Sequence, residues 1–167
     1  MTIRLLVLLN IMIVSVSCST GINKGSIQYN YIVTSGNPIL SEFGQATTVQ
    51  AINDFAYYEK ILSSGYKKII DELAQTSELH KYDEDFFSQK SLILIEHFEG
   101  NAGFEFEVKS VTHRENGINI DITRFISGSL PAVETSYFIF VEIGMSEVAK
   151  STINVSFMDV RCEDSFR

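Results

Sequence analysis

The sequence predicts an α+β domain, with N-terminal strands and two short helices packed on a mainly antiparallel β-sheet. Three observations carry that expectation. Strand-like segments open the domain after about residue 26, a helical pattern fills its middle, and from Ser91 onward the segments take a strand pattern. Segregated runs of this kind favour α+β architecture over alternating βαβ units.

Each element follows from its residues. Ile27 to Thr34 is rich in β-branched and aromatic side chains, and Ser35-Gly36-Asn37-Pro38 ends it with turn chemistry. Ala46 to Ile52 is a second strand. Asn53 is expected to cap a helix, with Asp54 in the first turn and Phe55, Tyr58 and Leu62 on one face. Ser63-Ser64-Gly65 interrupts it. Tyr66, Ile69, Ile70 and Leu73 then form the apolar stripe of a second helix, opposite Lys67, Lys68, Asp71 and Glu72. Asp83 is placed to cap a further helical turn holding Phe86 and Phe87.

The remaining segments read as strands. Ser91 to Phe98 is a dense apolar run, as in a central strand. Phe104, Phe106 and Val108 alternate with charged residues, and Ile118, Ile120 and Ile122 alternate with polar ones. Between them lies Asn116-Gly117, a strong hairpin signal. Tyr137 to Ile143 and Ile153 to Phe157 complete the set.

The N-terminus carries a targeting pattern. Arg4 precedes Leu5 to Val16, an apolar run too short for a membrane-spanning helix, which needs about 20 residues. Ser15-Val16-Ser17-Cys18 resembles a bacterial lipobox, with Ser15 where Leu is preferred. The expectation is a lipoprotein-type signal peptide over 1–17, lipid on Cys18, a polar tether over 18–25 and one domain over 26–167. Plain cleavage near Ser17 and an uncleaved anchor are the competing readings.

Composition bounds the rest. The chain of 167 residues has a formal charge of −8, which argues against nucleic acid and anionic lipid as partners. With Cys18 lipidated, Cys162 has no second cysteine to pair with, so a disulfide scaffold is not expected. Glu163 and Asp164 beside it oppose thiolate formation.

The motif search is mostly negative. There is no phosphate loop, Gly-x-Ser-x-Gly, His-Glu-x-x-His or Cys-x-x-Cys. His97 and His113 lie on neighbouring strand segments and are candidates to meet across a sheet, with Glu96 or Glu99 as further groups; strand-end histidines are the plainer reading. Asp83-Glu84-Asp85 reads as a capped helix start rather than a calcium loop, and Asn154-Val155-Ser156 as a chance glycosylation match. No cofactor or metal is expected. Two small-residue loops look suited to contact: Glu99 to Gly103 and Ser127 to Val133. They place Asn101, Ser129, Leu130 and Val133 as partner-binding candidates, beside the simpler reading of both loops as connectors.

Three stretches carry a family resemblance: Tyr82-Asp83-Glu84-Asp85-Phe86-Phe87 leading into Ser91-Leu92-Ile93-Leu94-Ile95, Asn101-Ala102-Gly103-Phe104 at a strand start, and Tyr137 to Ile143 with its Val141-Glu142-Ile143 end. Over about residues 82–143 the chain resembles the PrcB-like family, named for an accessory subunit of a bacterial surface protease complex. The resemblance implies a small β-rich, non-enzymatic domain on an envelope lipoprotein. The functional expectation is therefore a lipid-anchored extracytoplasmic accessory or binding protein that assists an unidentified envelope protein. The alternatives are a small envelope hydrolase and a structural protein that self-associates through a strand edge.

Overall fold

A computed structural model describes residues 25–36, 47–66, 82–115, 117–127, 132–148 and 151–162. Cys18, the expected tether before Gly25, the helical stripe of Ile69, Ile70 and Leu73, and the loop residues Ser129 and Leu130 lie outside them.

Among the described residues, seven strands form two sheets. In the first, β1 (Tyr29–Gly36), β6 (Thr135–Gly144), β3 (Lys90–Glu99) and β2 (Thr47–Ile52) stand side by side in that order, all antiparallel. In the second, β4 (Glu105–Arg114) pairs antiparallel with β5 (Gly117–Ser127), and β5 pairs parallel with β7 (Ile153–Cys162). The protein thus contains both helix and strand but is mostly β. Its strands divide between two sheets instead of forming one, and one pair is parallel because the chain crosses from β6 to β7 through the short helix Met145–Val148.

Alternation of side chains explains the stacking of layers. Ile93, Ile95, Tyr137, Ile139, Val141 and Ile143 face the second sheet and meet Phe106, Val108, Val111, Ile118, Ile120 and Ile122 there. The intervening residues Leu92, Leu94, Phe138 and Phe140 point the other way and meet Tyr58, Ile61, Tyr66, Tyr82 and Phe87. The result is helices on a four-stranded sheet on a three-stranded sheet. The dense apolar run of β3 is central, as expected, because both of its faces are covered.

The helical layer starts with α1 (Phe55–Ile61), continues through a π-helical turn (Leu62–Tyr66) and includes α2 (Glu84–Gln89). Asp54, not Asn53, caps α1: its Oδ1 accepts from Tyr57 N–H at 2.7 Å. Ser63-Ser64-Gly65 does not interrupt the helix but forms the π turn that carries Tyr66 into the core. Asp83 caps α2 as its position predicts, accepting from Phe86 N–H at 3.0 Å.

The β4–β5 hairpin forms where Asn-Gly predicts a turn. Gly117 has φ +125°, and a Cβ there would lie 2.1 Å from the Thr152 carbonyl oxygen, so no side chain fits. In β4 a register shift between Val108 and Ser110 moves the inward phase from Phe106 and Val108 to Val111.

Candidate functional site

The connectivity gives the sandwich two different ends. β3 runs up to Glu99 and β4 starts back down at Glu105; β5 ends at Ser127 and β6 starts at Thr135. Both predicted contact loops therefore leave the same end, which also receives the starts of β2 and β6 and the end of β7. The chain enters at the other end. There Gly25 O accepts from His113 N–H at 2.7 Å, Ile27 N–H donates to Val111 O at 2.9 Å, and Ser26 bridges Thr112.

Of the loop residues singled out from sequence, Asn101 is exposed and Val133 is 53% exposed. Gly103, at φ +94°, turns the first loop back toward the sheet. Its N–H and that of Phe104 both donate to the Tyr137 hydroxyl oxygen, at 2.9 and 3.0 Å. Burial raises the Tyr137 pKa, with these two donors acting against the rise.

Beneath the loops lies a polar layer built from the ends of apolar phases. Thr47, His97 and Tyr137 are consecutive partners across β2, β3 and β6. Facing them, Phe106, Arg124 and Asp159 are consecutive partners across β4, β5 and β7. His97 is 8% exposed. Its Nε2 is 2.9 Å from Glu99 Oε1 and its Nδ1 is 2.7 Å from Thr47 Oγ1. A carboxylate only accepts, so Nε2 is assigned the proton and Nδ1 accepts from the Thr47 hydroxyl. The ring stacks on Phe157, with centroids 4.2 Å apart, and meets the edge of Phe106.

Arg124 ties the layer together. Its Nε and Nη2 donate to both oxygens of Asp159, at 2.8 and 2.7 Å, and Nη1 donates to Glu99. Its guanidinium lies 5.1 Å from the centre of the Phe104 ring. The bond to Arg124 lowers the Asp159 pKa, and the bond to Asp159 leads the rise in that of Arg124. Such bidentate pairing fixes the geometry of β5, β7 and the start of the first loop.

Two candidate pairings read from the sequence do not form. His97 and His113 do not meet, because β3 and β4 belong to different sheets and His113 sits near the opposite end of β4. Glu96 and His97 do not converge either, because adjacent strand residues face opposite ways. Glu96 is buried on the helical side, where its carboxylate accepts from Tyr66 at 2.8 Å and Ser136 at 3.0 Å. Burial, then the contact with Glu96, pushes the Tyr66 phenol far above its ordinary pKa. Glu99 is the carboxylate that His97 reaches.

Thr47, Arg124, Asp159 and Phe157 were not singled out from sequence. Two of them left a signal: Arg124 follows Ile118, Ile120 and Ile122 in phase, and Asp159 follows Ile153, Val155 and Phe157. A charge on the apolar phase of a strand marks either its end or a paired site. Among the described residues, no group of three or more His, Cys, Asp and Glu side chains is placed to hold a metal ion.

Fold and site define a helix-backed β-sandwich with a braced polar layer at the end where β3 and β7 finish. No family model, curated protein or solved structure matches the chain.

Proposed function

We propose that this chain is a lipid-anchored, extracytoplasmic accessory protein that binds an envelope protein through the loop end of its sandwich and performs no catalysis. The observation that carries the reading is the polarity of the fold. The Glu99–Gly103 loop and the segment between β5 and β6 leave one end, while the N-terminal segment, with Cys18 upstream, enters at the other. Lipid on Cys18 then turns the loop end away from the membrane. Asn101 and Val133 are the described residues on this surface, and Ser129 and Leu130 belong to it by sequence position. The Arg124 cluster beneath holds the first loop on a rigid base, as recognition loops need.

Two experiments test the parts separately. A fatty-acid probe should label the wild type and not Cys18→Ala; equal labelling rejects the anchor. Val133→Asp should fold normally, since exposed substitutions usually change stability by about 0.5 kcal/mol or less. In native-envelope crosslinking it should lose a partner that the wild type captures. Full capture by the folded variant rejects the loop-end surface.

One observation favours the hydrolase alternative: Thr47, His97 and Glu99 form a hydroxyl–imidazole–carboxylate chain. The binding reading ranks above it because the ring is buried and packed against Phe157 and Phe106. Hydrolysis of p-nitrophenyl acetate that Thr47→Val and His97→Ala both abolish would reverse that ranking.

A further inference from the structure

We propose that the open edge of β7 accepts one extended strand supplied by a protein partner. The two sheets are unequal. The four-stranded sheet ends in β2, and among the described residues nothing pairs with the far side of β7. The His97–Phe157 stack sets β7 over β3, so β2 projects past β7 as a ledge. Val49 shows this directly: it is registered against Ile95 and shares its face, yet it is 36% exposed while Ile95 is 0%. A strand beside β7 would cover it.

The backbone is arranged to receive that strand. Ile118 N–H donates to Thr152 O, and the unbroken parallel register continues to Ser127–Cys162. Alternation then directs the N–H and C=O groups of Phe157, Asp159 and Arg161 away from β5, toward the open side. On the solvent face the same edge carries Met158, 60% exposed, and Val160, 36% exposed. An incoming strand meets apolar groups on both faces and unpaired backbone along its length, the requirements of strand addition.

The geometry selects the occupant. A second copy pairing its own β7 here, under a two-fold axis normal to the sheet, would have that axis about half a strand spacing, roughly 2.4 Å, beyond β7. Its β2 would then fall on the position of β3. The ledge therefore blocks sheet-to-sheet extension and leaves room for a single strand. Val49 on the ledge is apolar and Asp159 on the edge is already held by Arg124, so a segment with apolar residues toward Val49 is the complementary chemistry.

The test uses the full chain in detergent and the synthetic peptide Lys-Val-Thr-Val-Thr-Val-Thr-Val-Lys. At saturation, the Phe157, Asp159 and Arg161 amides should exchange about tenfold more slowly, with Met158 and Val160 unchanged because they already bond to β5. A fully N-methylated peptide should have no effect. Arg161→Pro removes an outward N–H without breaking the ladder and should weaken binding about tenfold. Val49→Asp alters only the ledge and should do the same, which keeps the test valid if the proline variant fails to fold. Absence of protection at about 1 mM peptide, protection on both phases, or unweakened binding by Val49→Asp overturns the inference. So does a concentration-dependent dimer that protects these amides without peptide. The loop-end reading is a separate matter: a partner lost by Val133→Asp but kept by Val49→Asp rejects the edge and leaves the loop end standing.

Discussion

Strands β3 and β6 lie between two apolar clusters, whereas β7 keeps one face on the core and turns Ser156, Met158 and Val160 to solvent. The difference shows in side chains of similar size. Phe138, on β6, is 0% exposed, and Met158, on β7, is 60% exposed. The four-stranded sheet is fixed by packing on both sides. The three-stranded sheet is fixed by packing on one side and by polar pairing on the other, where Asp121 accepts from Ser110 and Ser156, both at 2.6 Å. One sheet is thus packed on both faces, and the other presents the outer side of β7 to solvent.

The largest expected effect lies in the sheet packed on both faces. Phe138→Ala should cost about 3–5 kcal/mol in urea unfolding, because it opens a cavity beneath Tyr66, whose ring meets it edge-on at 5.8 Å. A loss under about 1 kcal/mol would mean that the helical layer is not seated on the sheet. Tyr66→Phe should cost about 1–3 kcal/mol by removing a hydroxyl donor from the buried Glu96 carboxyl group.

Smaller effects belong to the outer face. Hydrogen bonds from Ser110 and then Ser156 lower the Asp121 pKa. A depressed carboxyl contributes stability above its unfolded value, about 3.9, and that contribution is lost as pH falls through the folded value. Ser156→Ala should therefore cost less than about 1 kcal/mol at neutral pH, and the difference from wild type should vanish in acid. A deficit that persists in acid would assign the loss to packing instead. Met158→Ala should stay within about 0.5 kcal/mol; a larger cost would show that the outer face is already covered.

The sequence was most legible where apolar and polar residues alternate along a strand. Alternation in β5 located Ile118, Ile120 and Ile122 and their common direction, and the apolar density of Ser91 to Phe98 identified a strand covered on both sides. The division into two sheets was not legible, because alternation orients a strand without naming its neighbour. The parallel β5–β7 pair depends on a crossover that no local pattern encodes. The cap moved from Asn53 to Asp54 because two adjacent residues had suitable side chains and only tertiary placement chose between them. Of the candidate site, composition pointed to the two loops, and the common end of the strands that flank them follows from strand direction. The Glu99–Arg124–Asp159 cluster joins residues far apart in the chain, and only the two charges on apolar phases hinted at it.

The way the chain enters the sandwich also governs its response to force. Before joining β6, the N-terminal segment bonds to β4 through Gly25 and Ile27. From Tyr29 to Gly36 it then runs antiparallel to β6 along the strand axis. A pull on the segment before Gly25, directed away from the loop end, slides β1 along β6 and loads the hydrogen bonds of that register together in shear. They do not open one at a time, as they would if the chain were peeled sideways. The two bonds to β4 stand nearest the point of pull and take up the load ahead of the β1–β6 register.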